Sequence, residues 1–340
     1  MTILLGYKQV QAQNKEYFNA KSHLREKWEN LDSVNPHGAA HYGTYVIKSN
    51  NLLSSLDNGV NDVTGNILRV EGHIQNEFIH SESSQMMSIS KFGKLKTSLI
   101  LQYFFPILIL FLGFQSIIKE KKSSRIKLLI LQKSNKFLIL ISKTIAIWIY
   151  ISLILTLTIG LFAMVNMFNI NIEILLRTFF FYISYLIYFF ILSALSIFFS
   201  AYMKEASSSL SILISLWIIW TIFFPNIALS SIDKLYSLPS RNQFKSQMSN
   251  DRAQGIDGHN PNDVRSKKLE EKVLSKYNVS NLSDLPINFD GVRMQADEEY
   301  GNKVWDKHFG NINQILLNQK KLYQLFGILN PFISLKNISM

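Results

Sequence analysis

The chain has 340 residues, 48% of them hydrophobic and only 17% charged, and its formal net charge is +11. So apolar a composition with so little charge excludes an ordinary soluble domain. Cysteine is absent, which excludes a disulfide framework and any thiolate metal site.

The opening "MTILLGY" is apolar but has no basic leader and is too short for the core of a secretory signal; it reads as the last turn of a helix that begins earlier. From Val10 to Leu31 a helix is expected, with Tyr17, Leu24, Trp28 and Leu31 on one stripe. Beyond it, Asn35-Pro36, Asp57-Asn58-Gly59 and Thr64-Gly65-Asn66 punctuate short apolar runs such as Tyr45–Ile47 and Ile67–Val70, so short strands or extended segments are expected there. His37 and His41 stand four apart, a spacing that places two imidazoles on one helical face as in zinc sites. Gly38 occupies the place of the acid that such a site carries, and a third ligand is missing nearby, so no metal site is expected. "GAAHYGT" has the spacing of a phosphate loop without its lysine.

Four stretches then lack charge altogether: 97–118, 144–172, 178–203 and 206–232. Each is longer than the roughly 20 residues that cross a bilayer core of about 30 Å. Membrane helices are expected near Leu99–Ile118, Leu138–Met164, Thr178–Tyr202 and Ser208–Phe224, the first kinked at Pro106. None has an acid or base at mid-span, which argues against a proton-coupled carrier with a charged relay. After the fourth run the pattern is again helical. Leu269, Val273 and Leu274 mark one amphipathic helix, and Tyr300, Val304, Trp305, Phe309, Ile312 and Leu316 mark another.

Charge is concentrated between the first two spans. Residues 1–97 hold 10 Lys/Arg against 9 Asp/Glu, residues 226–322 hold 14 against 12, and residues 119–137 hold 7 against Glu120 alone. Basic loops close to helix ends stay in the cytoplasm, whereas long neutral domains translocate. Residues 119–137 are therefore expected inside, and counting crossings puts both large polar regions outside. Tethered to a membrane surface, these cations meet lipid headgroups or a protein partner before any nucleic acid, so no nucleic-acid partner is expected.

At this loop the residues match something known. "EKKSSRIKLLILQKSNKFLILISKTIA" (120–146) resembles the segment that follows a membrane helix in ABC-2-type permeases of ABC transporters. Glu120, Ile126, Leu128, Leu129 and Lys143 fall on matching positions, while Ser124, Arg125 and Ser142 replace that pattern's glycine, threonine and glycine. "NPHGAAHYGTYVIK", "LSSLDNGVNDVTGNILRVEGHIQNE", "EEYGNKVWDKHF" and "NPFISLKNISM" look like one branch of these permeases, in which the extracytoplasmic insert has no known role.

The resemblance implies a mainly α, polytopic membrane helix bundle in the cytoplasmic (inner) membrane, with six helices in a complete member and four here. It also implies two extracytoplasmic inserts, the first α+β. The expected division is 1–97 (with a helix remnant at 1–6), a transmembrane region 98–225 carrying the coupling segment 119–137, a second insert 226–322, and 323–340 at the start of a C-terminal part cut short. The chain is expected to be a non-catalytic permease subunit of an exporter. ATP and Mg would bind a separate cytoplasmic ABC ATPase, since the chain has no Walker A sequence. A second permease copy or a paralogue and membrane lipid are the other expected partners. Glu120, Arg125, Ile126, Lys127, Leu128 and Leu129 would touch the ATPase; Pro36, His37, His41, Gly43, Asp57, Gly59 and Glu71 carry the insert's motif, with no role assigned. Glu120 could instead pair locally with Lys122 or Arg125. Two rival functions are a membrane-anchored sensor or interaction protein of the cell envelope, and an outside-facing metallohydrolase using His37, His41 and His73 or Asp57.

Overall fold

The structure is a computed structural model and describes residues 2–72, 96–258, 260 and 263–339. His73, a ligand of the metallohydrolase reading, lies outside the described residues, as does much of the motif around it. The chain divides into two compact units, Met1–Ile227 with Phe326–Met340, and Ala228–Leu325.

The first unit opens with α1 (Thr2–Glu29), whose Ala, Gln, Lys and Glu content favours a helix and which contains no proline. Gly6 is required where the chain returns across it: a Cβ there would lie 2.5 Å from the carbonyl oxygen of Ser55. A short helix, α2 (Pro36–Ala40), follows with Asn35 as its cap and Pro36 in the first turn, where a missing N–H costs nothing. Of the two alternatives for the apolar runs, strands form, and they pair. β1 (Thr44–Ile47) runs antiparallel to β2 (Ile67–Val70), with Thr44 opposite Val70 and Ile47 opposite Ile67. Amides tie this insert to α1: Asn50 N–H donates to Asn14 Oδ1 at 2.9 Å, and Asn66 Nδ2 donates to Asn50 Oδ1 at 2.8 Å.

Four helical stretches are long and apolar enough to cross a membrane: Thr97–Lys122, Lys136–Val165, Ile172–Tyr202 and Ala206–Leu235. Each contains the span expected from the charge-free runs. Within them lie α3 (Phe105–Gly113), α4 (Ser116–Lys122), α6 (Lys136–Val165), α7 (Ile172–Tyr202), α8 (Ala206–Ile218) and α9 (Phe224–Leu235), with α5 (Arg125–Leu131) between the first two spans. The protein is therefore a mainly α, polytopic membrane bundle with one small two-stranded sheet among the described residues.

The bundle core gathers Leu101, Ile109, Ile151, Leu155, Tyr185 and Phe189, all nearly or fully buried. Two of its polar side chains find partners inside the bundle: the Trp148 indole N–H donates to the Leu186 carbonyl at 2.9 Å, and Gln102 Nε2 to the Tyr185 hydroxyl at 3.2 Å. The first span crosses α7 where Gly113 meets Ser196. A Cβ on Gly113 would fall 1.9 Å from Ser196 Oγ, so the approach depends on two small residues.

Pro106 acts through more than a bend. The helix immediately before it, Ile100–Phe104, is wound as a π turn, and the Phe105 N–H reaches back to the Ile100 carbonyl. The fourth span repeats the device over Ile219–Phe223, with the Phe224 N–H on the Ile219 carbonyl and Pro225 next. Both stretches read Ile-x-x-x-Phe-Phe-Pro, over 100–106 and 219–225. Proline removes a helical donor, and widening the turn by one residue absorbs the ring.

The second unit holds α10 (Arg241–Arg252), α11 (Val264–Tyr277) and most of α12 (Phe289–Leu329). Ser240 and Gln243 form a capping box at the start of α10. Asp251 on α10 accepts from Lys307 at 2.6 Å and pairs with His308 Nε2 at 2.9 Å, and those hydrogen bonds hold its carboxyl below the usual range. Trp305 stacks on Phe309 at 3.6 Å, and Phe244 meets Phe309 edge-on at 5.0 Å. Of the expected stripe on α12, Phe309 and the Tyr300 hydroxyl, which donates to the Asp251 carbonyl at 3.0 Å, thus meet α10, whereas Leu316 is exposed. Past Leu329 the chain turns at Asn330 into α13 (Pro331–Ser339), which returns to the bundle with Phe332, Ile333 and Leu335 buried.

The crossing at Gly113 gives a test of packing. Gly113→Ala is expected to destabilise by about 1–3 kcal/mol through overpacking, and Ser196→Gly in the same chain is expected to recover most of the loss, measured by thermal unfolding in detergent.

Candidate functional site

The cationic segment forms an elbow of two short helices. α3 stops at Gly113 and α4 starts after Gln115, which leaves the first N–H groups of α4 without helical acceptors. The fully buried Ser200 of α7 takes them: its Oγ accepts from the N–H of Ile117 at 2.9 Å and from that of Ile118 at 3.4 Å. The ammonium of Lys121 donates to the carbonyl of Ala201, at the C-terminal end of α7 where positive charge is favoured. Lys122 pairs with Glu205 at 2.8 Å in an exposed position, a contact of small energetic weight.

Glu120 points back into the bundle. Its Oε1 lies 2.6 Å from Nζ of Lys143 on α6, and both side chains are about three-quarters covered, at 21% and 26% exposure. Its partner is therefore the next span, not Lys122 or Arg125 within the loop. Its second oxygen, Oε2, is buried and has no hydrogen-bond donor among the described residues. Ser200, Lys121 and Glu120 together fix α4 to α7 and α6.

α5 is bounded by two residues in the left-handed region, Ser124 (φ 59°) and Lys133 (φ 64°). Sharp turns at both ends set this helix apart from its neighbours. Arg125 and Lys127 are exposed, Ile126 and Leu129 are half-buried, and no residue of α5 is buried. Leu128, expected to touch the ATPase, is 61% exposed, and Leu131, one turn on along the same side, is 79% exposed. Leu131 was not singled out from the sequence, although its spacing from Leu128 was the available signal.

The motif residues of the first insert fall into two groups. Gly43, at φ 65°, sits where a Cβ would lie 3.1 Å from the Arg69 guanidinium and 3.2 Å from the Glu71 carboxylate, and Arg69 and Glu71 form an ion pair. The Gly72 N–H bonds the Ala40 carbonyl at 2.8 Å, which brings the loop holding Pro36 and His41 to the same place. Asp57 stands apart, near the start of the first span. Its Oδ1 accepts from the Gly59 N–H at 2.9 Å, and the Ser98 N–H donates to the Leu56 carbonyl at 3.1 Å. Burial pushes the Asp57 carboxyl up, against the Gly59 hydrogen bond and the charges of Lys96 and Lys336. Among the described residues no three His, Cys, Asp or Glu side chains stand where they could share a metal ion.

Comparison with known families decides what this architecture is. A family model described as ABC-2 family transporter protein matches residues 1–332. The chain belongs to that family. It is an ABC-2-type permease, a membrane component of an ABC transporter, and the family implies partnership with an ABC ATPase. No match was found among curated proteins or among solved structures. Ser124, which replaces the glycine of the permease pattern, occupies a left-handed position that glycine adopts at least cost.

If the Glu120–Lys143 pair holds the elbow, Lys143→Ala is expected to cost about 3 kcal/mol, the scale for stripping one member from a covered ion pair. Reversing both charges, Glu120→Lys with Lys143→Glu, is expected to recover most of it, read as the midpoint of thermal unfolding in nanodiscs.

Proposed function

We propose that the chain is the membrane-spanning subunit of an exporter and that its elbow, residues 119–137, takes up the motion of a separate cytoplasmic ATPase. The observation that carries this reading is a short helix with an exposed apolar pair, Leu128 and Leu131, flanked by Arg125 and Lys127 and backed by α4, which is bonded to two spans. An apolar centre rimmed by charge suits a protein groove. The positive-inside rule, applied to Lys119, Lys121, Lys122, Arg125, Lys127, Lys133 and Lys136, supports a cytoplasmic position for the elbow in the inner membrane. Residues 1–97 and 226–322 then lie outside.

In this reading the ATP and Mg sit on the partner, and the permease contributes no catalytic group. Closure of the ATPase must favour one packing of the spans over another by its differential affinity for the two. Driving the bundle from 1:99 to 99:1 takes roughly 5.5 kcal/mol, which an elbow that flexed freely would not transmit. Ile126 and Leu129 hold α5 to the protein, while Leu128 and Leu131 face the groove. Because each chain supplies half of a transport path, a second permease copy or a paralogue completes the assembly, embedded in membrane lipid.

The test is co-purification of an ATPase subunit, identified by mass spectrometry through its Walker motifs. Leu128→Asp with Leu131→Asp is expected to weaken that association at least tenfold while leaving the unfolding midpoint of the permease unchanged. Association that survives removal of residues 124–131 would contradict the assignment.

A further inference from the structure

The π turn in the fourth span leaves one carbonyl in search of a donor. In an α-helix the Trp220 carbonyl would receive the Phe224 N–H, but in this turn that N–H bonds Ile219 instead. The next residue, Pro225, has no N–H to offer. The carboxamide of Asn330 fills the gap, donating from Nδ2 to the Trp220 carbonyl at 2.8 Å. Its Oδ1 accepts from the N–H of Phe332 at 2.9 Å and from that of Ile333 at 3.4 Å, capping α13. Asn330 is fully buried.

We propose that Asn330 is a positioning residue of the transport cycle: its amide holds the fourth span in the π-wound state, and it gives way to the Phe224 N–H when the turn rewinds to α. Two donors compete for one carbonyl, so the Trp220 oxygen keeps a hydrogen bond in each state, while in the α state the acceptor that Pro225 leaves without a helical donor is the Thr221 carbonyl, four residues before it. Rewinding by one residue rotates the two halves of the span against each other by about 100°. Release of Asn330 also frees α13, whose Phe332 lies edge-on against Tyr103 in the π turn of the first span, ring centroids 5.4 Å apart. The twin Ile-x-x-x-Phe-Phe-Pro turns are thus joined through one corner, and a change at either reaches the other. A cavity of about 480 Å³ beside this corner, with Tyr188, Trp220, Pro331, Ser334 and Leu335 in its walls, gives α13 room to shift.

The exchange at Trp220 stands on these contacts alone, whereas its place in transport rests on the permease–ATPase reading above. Because the chain has no cysteine, Tyr103→Cys with Phe332→Cys supplies a single oxidisable pair. In the isolated protein, Asn330→Ser keeps a capping oxygen but not the amide, and it is expected to lower the crosslinking yield at least threefold. With Pro225→Ala, which returns an N–H to the span, Asn330→Ser is expected to lower it no further. An equal loss with and without Pro225→Ala overturns the competition for Trp220. In the complex with its ATPase, trapping with ATP and vanadate is expected to reduce crosslinking of the Asn330 protein as far as Asn330→Ser does. A yield unchanged by trapping overturns the role in the cycle, since a merely structural pin would behave that way. Failure of any ATPase to associate counts against the functional reading and leaves the first comparison to decide the exchange.

Discussion

Seven cations and one carboxylate between two apolar spans cannot enter hydrocarbon, and the backbone that carries them has to leave the bilayer with its polar groups satisfied. The solution is local and specific. Ser200 takes the first N–H groups of α4, Ala201 accepts from Lys121, and Glu120 reaches past its own loop to Lys143. Without those bonds the elbow would be a flexible tether. With them, displacement of α4 is displacement of α6 and α7.

The same requirement shapes the other end of the spans. Two prolines remove donors from the first and fourth spans, and both helices answer with a π turn. At the fourth, a side chain from a distant part of the chain closes the account by donating to Trp220. One class of cost, an unpaired polar group in an apolar medium, thus accounts for the rigid elbow near one end of the bundle and for the paired turns toward the other.

Much of this was legible in the sequence because it depends on local pattern. Four charge-free runs longer than a bilayer's thickness marked the spans, and short apolar runs set off by Asn35-Pro36, Asn58-Gly59 and Gly65-Asn66 marked the segments that form the two strands at 44–47 and 67–70. The stripe from Tyr300 to Phe309 marked the packed side of α12. What escaped depends on contacts between distant residues. Glu120 has cations within its own loop, and nothing local says that Lys143 on the following helix wins. The apolar residues of α5 were visible, but which of them face out is set by the left-handed turns at Ser124 and Lys133. Pro106 announced a distortion without announcing its winding, and the repeat at Pro225 becomes meaningful only beside Asn330.

The most direct measurement of the central claim uses a cysteine placed at Leu131 in a chain that has none of its own, probed with a membrane-impermeant maleimide. The account predicts labelling in inside-out vesicles but not in intact cells, and loss of that labelling when the ATPase subunit is bound. Labelling from the outside of intact cells, or labelling indifferent to the ATPase, would contradict it.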